Sequence, residues 1–142
     1  MTIPLQRLPD WLPRLAELAN KHRLTPYRYG THDCWTFARA AVEAVTGTLL
    51  LPELESYSGW LGAAKLMIAR GLASVEEVMT EQIGKPVDVG QSRAGDIISY
   101  ENGGERHLAV RIGDGALAPA PDGMTIVAPV VWRHAWLVGE AD

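Results

Sequence analysis

The sharpest periodicity in the chain lies at Cys34, Phe37, Ala38, Ala41, Val42 and Val45, an i, i+3, i+4, i+7, i+8, i+11 series. It predicts an amphipathic helix over about 33–46. Thr31, His32 or Asp33 caps its start, and Gly47 sits where a left-handed residue ends helices. A first helix is predicted over about 10–22, with Trp11, Leu15 and Leu18 on one face, Asp10 as cap and Pro13 in the first turn. Pro26 and Gly30 make the intervening stretch an extended loop. Two further helices are expected, over about 58–70 (Trp60, Leu61, Ala64, Met67, Ile68, then Gly71) and from Ser74 to about Ile83, where Ser74-Val75-Glu76-Glu77 has the form of a capping box.

From Val87 the period shortens. Asp96–Tyr100, His107–Ile112, Ala116–Ala118, Thr125–Val127 and Trp136–Val138 read as short strands. Asn102-Gly103-Gly104 is a hairpin turn signal, and Gly113-Asp114-Gly115 a second turn. A helical part over about 10–84 followed by an antiparallel meander over about 87–139 predicts one α+β domain spanning 1–142.

Composition narrows the function. At 142 residues, 47% hydrophobic and 21% charged, the chain can bury a core without staples. Its net charge of −4, with scattered Arg and Lys, argues against nucleic-acid binding, which wants clustered cations. A single cysteine excludes an internal disulfide. The first residues carry no apolar signal-peptide core, and no apolar run approaches the ~20 residues of a membrane span, so the expectation is a protein made in the cytoplasm without membrane insertion.

The remaining chemistry converges on Cys34. A helix N-terminus carries partial positive charge and unpaired N–H groups, which favour a thiolate and could receive an oxyanion. The alternative is a small buried hydrophobe. Among four histidines, His22 ends the first helix, where a positive charge suits the dipole, His134 reads as surface, and His32 is too near in sequence to face the thiol. His107, at a strand start after a glycine turn, is the preferred base. Metal binding through His32, Cys34 and His107 ranks lowest, because structural zinc wants four ligands. No cofactor is expected.

Tyr27-Arg28-Tyr29-Gly30-Thr31-His32-Asp33-Cys34-Trp35-Thr36-Phe37 resembles the Tyr-x-x-Gly … Asp-Cys-x-x-Phe segment of NlpC-type, papain-like cysteine peptidases. Arg93-Ala94-Gly95-Asp96-Ile97 looks like their Pro-Gly-Asp-Leu strand, and Arg106-His107-Leu108-Ala109-Val110 their Gly-His-Val-Gly-Ile hairpin. Thr46-Gly47, Gly62-Ala63 and Arg133-His134-Ala135-Trp136 resemble a small phage and prophage branch whose genes lie among tail genes. The resemblance implies a papain-like fold, N-terminal helices packed on an antiparallel sheet or small barrel, with Cys34 as nucleophile and His107 as base. Tyr27, His32, Asp33 and Trp35 would serve the substrate pocket or oxyanion site. The implied substrate is a peptidoglycan peptide bond and the implied partners are phage tail-tip proteins, which would make the chain virion-associated. Two departures stand out. Family members place a polar residue on the strand after the base to orient the imidazole, but Ala116–Ala120 has none, leaving a backbone carbonyl, a water or Asp114. Arg106 replaces the glycine before the base, and the shorter loop before Cys34 implies a more open cleft. An adaptor that keeps the fold without catalysis is the competing reading, with Trp60, Trp132 and Trp136 as an interface or as core.

Overall fold

The computed structural model describes residues 4–28, 32–50, 71 and 74–139. The helix expected over 58–70, with Trp60 and Gly62-Ala63, lies outside the described residues. Within them the chain is α+β. Helices α1 (Trp11–Lys21), α2 (Cys34–Thr46) and α3 (Val75–Ile83) accompany a five-stranded antiparallel sheet. Its strands are β1 (Ile97–Asn102), β2 (Glu105–Arg111), β3 (Ala116–Ala120), β4 (Gly123–Val127) and β5 (Trp132–Trp136), in the order β4-β3-β2-β1-β5.

Local chemistry sets the helix ends. Asp33 caps α2 with its side chain accepting from the Thr36 amide, while the Thr36 hydroxyl accepts from the Asp33 amide. Gly47, at φ 76°, closes the helix. Ser74 accepts from the Glu77 amide at the start of α3. Asp10 occupies the cap position of α1 without a side-chain cap bond, so the expected cap is not made.

The β1–β2 turn uses Gly103 and Gly104, both at positive φ, and a two-residue turn fixes the register: Asn102 faces Glu105, and Tyr100 faces His107. The meander holds for four strands, and then β5 crosses to pair with β1. Five flat strands at ~4.8 Å spacing would put the outer two about 19 Å apart. Yet the Trp132 indole at the start of β5 donates to the Val127 carbonyl at the end of β4, 3.1 Å away. The sheet therefore curls toward its own far edge.

Strand alternation sorts the core into two faces. Ile97, Leu108, Val110 and Trp136 meet Phe37, Ala41, Val42 and Val45 of α2 and Met79 of α3. Ile98, Ala109, Ala116, Ala118, Val127, Trp132 and Ala135 line the other face. Each of the larger apolar side chains contributes about 1.5–3 kcal/mol by leaving water. Trp132 and Trp136 are both buried in these clusters, which removes them from the interface reading.

The last strand lies four residues earlier than its expected start at Trp136. The Val138 amide donates to Asp96 and its carbonyl accepts from Arg7, so those groups cannot continue a ladder.

Candidate active site around Cys34

Because α2 begins at Cys34, its first amides lack helical partners. The capping box takes the Thr36 amide. Burial then dominates the thiol: Cys34 is only 8% exposed, and its pKa is pushed up to about 12. The backbone amide of Leu108 pulls the value down, the Asp33 charge raises it, and the amides of Trp35 and Cys34 itself pull it down weakly. The expectation that a helix N-terminus would favour the thiolate is thus overturned at rest. Desolvation outweighs the amide dipoles, and the thiol carries its proton.

The Leu108 amide lies near enough to act electrostatically on the sulfur. β3 pairs with β2 only at Val110 and Arg111. α2 packs on β2. His107 immediately precedes Leu108, so the proposed base and the amide on the sulfur are chain neighbours. Alternation turns their side chains to opposite faces. Leu108 enters the helix-side core, whereas the His107 ring lies against Tyr100, its cross-strand partner, with centroids 5.4 Å apart and planes at 32°. Burial pushes the Tyr100 phenol up to about 12, and the charge of Cys34 adds to the effect. Tyr100 therefore lies within the electrostatic reach of the thiol. Among the described residues, no hydrogen bond joins Cys34 to His107.

The remaining sequence-derived residues have structural duties. Asp33 forms the cap of α2 and is buried. Trp35 is buried in the helix-side core. His32 is 3% exposed and stacks on His22 at 4.7 Å, with Phe37 edge-on to both rings. Burial lowers the pKa of His22, and Lys21 adds to it, so the positive charge expected at the end of α1 is disfavoured. Tyr27 donates its amide to the Ala120 carbonyl, which ties the loop before Cys34 to the end of β3. Asp114 is exposed in the β2–β3 turn, at the far end of β2 from His107, and is not placed to orient that ring. Among the described residues, no group of three or more His, Cys, Asp or Glu could hold a metal ion.

Arg106 also acquires a reason. It points to the face opposite His107 and lies 3.1 Å from Glu76 of α3. The same Glu76 oxygen accepts from Ser99 of β1 at 2.7 Å and meets Nδ1 of His134 of β5 at 3.0 Å. One carboxylate thus clamps α3 to three strands, and His134 is a partner in that clamp as well as a surface residue. Sequence reasoning also missed Tyr100. Its signal was present in the glycine turn, whose register sets residue 100 opposite residue 107.

Chemically, the arrangement offers a buried thiol, amides at its sulfur, and an imidazole on the strand that carries one of those amides. Among the described residues, no helix is long and apolar enough to cross a membrane. A family model described as a domain of unknown function matches residues 6–138. No curated protein matches the chain.

Proposed function

The chain belongs to the DUF6950 family, and from that premise we propose that it is a cysteine hydrolase of the NlpC-type, papain-like kind, cleaving peptide amides of peptidoglycan. The observation that carries the reading is a cysteine that opens a helix and feels the amide of Leu108, the residue next to His107, on a distant strand. Nucleophile and amide donor then come from two elements distant in sequence, with the base beside the donor on its strand, which is the set of groups that acyl transfer requires.

The thiol is protonated at rest, so His107 takes its proton as the sulfur attacks. The Sγ–C bond forms, and the carbonyl oxygen becomes an oxyanion held by amides at the start of α2. His107 passes the proton to the leaving nitrogen as the C–N bond breaks. Water then attacks the thioester with His107 as base, releasing the carboxylate and restoring the thiol. The likeness to the phage branch supports a tail tip as the site of this activity, with tail proteins as partners.

Purified peptidoglycan incubated with the protein should release new amino groups. Cys34→Ala and His107→Ala should both abolish that release. Release that survives in Cys34→Ala would overturn the reading.

One observation favours the adaptor instead: the thiol is buried and its pKa is about 12. An adaptor would co-purify with tail proteins equally well as wild type and as Cys34→Ala, and neither would release amino groups.

A further inference from the structure

We infer that Tyr100 is the positioning residue for His107, taking by ring contact the role that a polar side chain on the following strand would otherwise fill. The inference rests on the hydrolase reading above and deepens it. A base that orbits freely about its χ angles cannot meet a sulfur in one geometry, so something must hold the imidazole. The next strand cannot do so. The β2–β3 pairing, Val110 with Leu117 and Arg111 with Ala116, would bring Ala120 opposite His107 if it continued. Alanine has no polar side-chain atom, and the Ala120 carbonyl already accepts from the Tyr27 amide. Among the described residues, the His107 ring takes part in no hydrogen bond.

The other neighbouring strand supplies the contact. Tyr100 is the register partner of His107, and their rings lie 5.4 Å apart at 32°. Cross-strand aromatic pairs of this kind restrict both rotamers. Tyr100 is itself fixed by packing against the second core cluster, which includes Ile98, Ala109 and Trp132. The turn glycines Gly103 and Gly104 lock the register that makes the pair. The ring face performs the task and the hydroxyl is dispensable, which separates this role from proton transfer by the phenol.

The test follows amino-group release from purified peptidoglycan, resolved into kcat and KM, for wild type, Tyr100→Phe, Tyr100→Leu, His107→Ala and Cys34→Ala. Tyr100→Phe should keep wild-type rates. Tyr100→Leu should lose about 100-fold in kcat at unchanged KM, the penalty of a misaimed catalytic group. Circular dichroism should show the Tyr100→Leu fold intact. If that variant does not fold, the β-branched Tyr100→Thr takes its place. Wild-type kcat in the ring-less variant, with His107→Ala inactive, overturns the inference and leaves the hydrolase reading standing. A loss in Tyr100→Phe equal to that in Tyr100→Leu also overturns it, by assigning the work to the hydroxyl. Wild-type protein that releases no more amino groups than Cys34→Ala overturns the hydrolase reading and this inference with it.

Discussion

Arg7 and Asp96, 89 residues apart in sequence, meet at 2.9 Å with their side chains only 2% and 0% exposed. The pair joins the two ends of the described chain to the start of β1. Arg7 also donates to the carbonyls of Val138 and Ala94, and Asp96 accepts from the amides of Val138 and Arg93. The guanidinium stacks over Trp11 at 4.3 Å. Gly95 permits the close approach: its φ is +94°, and a Cβ there would fall 2.9 Å from Arg7 Nη1. The Gly-Asp of the motif before β1 is therefore an architectural device that ties both ends of the described chain to the sheet.

Breaking this pair from either side leaves a buried charge without its partner. Arg7→Ala and Asp96→Ala should each cost about 3–5 kcal/mol in urea unfolding. The double variant should cost clearly less than the sum, because it leaves neither charge stranded. Additive losses would show that the two groups act through their other bonds and not through each other.

Which parts of this fold were legible follows from the range of the interactions. Cys34 to Val45 repeat on one helical face, and Asp33, Thr36 and Gly47 mark the ends, so α2 could be read within a residue. The β1–β2 hairpin could be read because two glycines dictate its turn. The final strand was misplaced because its boundary depends on Val138 being claimed by Arg7 and Asp96, contacts that no local pattern reveals. The state of Cys34 was misjudged for the same reason. The helix terminus is local, whereas the burial that outweighs it comes from the packing of α2 on β2. The three-way use of Glu76 was equally hidden, since its partners lie 23, 30 and 58 residues away.

Glu76 should govern acid stability. Burial alone would raise its pKa, but bonds from Ser99 and His134 and the charges of Arg106 and His134 together leave it below the usual value of 4.5. A lowered carboxylate pKa stabilises the fold above about pH 4.5, and the contribution disappears as pH falls through the folded-state value. The side chain is 22% exposed and Arg106 is 32% exposed, so solvent screening tempers the gain. Glu76→Gln should cost about 1–2 kcal/mol at pH 7 and flatten the acid limb of unfolding below pH 4.5. An unchanged acid limb would remove Glu76 from that role.

The stacked pair His22 and His32 acts in a higher window. Burial lowers the pKa of each; Lys21 adds to this at His22, and His22 adds to it at His32 against a smaller opposing pull from Asp33. Nδ1 of His22 and Nε2 of His32 are buried without a hydrogen-bond partner among the described residues. A histidine held below 6.5 stabilises the fold above that pH, because the unfolded chain then binds the extra proton first. Stability should fall as pH drops from about 6.5, and His32→Gln should weaken that fall. Proton NMR should put both ring midpoints below 6.5. A midpoint above 6.5 for either ring would mean that it is charged in the fold, contrary to the stacking and burial seen here.

Cys34 offers the most direct contrast between resting state and reaction. Its thiol is raised from 9.0 to about 12, so the folded protein retains a proton that the unfolded chain loses above pH 9. Stability should therefore decline as pH climbs beyond 9. At neutral pH the thiolate fraction falls about 1,000-fold, and the higher intrinsic nucleophilicity of a more basic sulfur recovers roughly half of those decades. Iodoacetamide should then label the folded protein at least about 30-fold more slowly than the urea-unfolded chain at pH 7.5. Because the hydrolase mechanism moves the thiol proton to His107 only as the sulfur attacks, slow labelling at rest is compatible with turnover on peptidoglycan. Labelling of the folded protein faster than of the unfolded chain would instead require a preformed thiolate, and would show that the amides of Leu108, Trp35 and Cys34 outweigh burial after all.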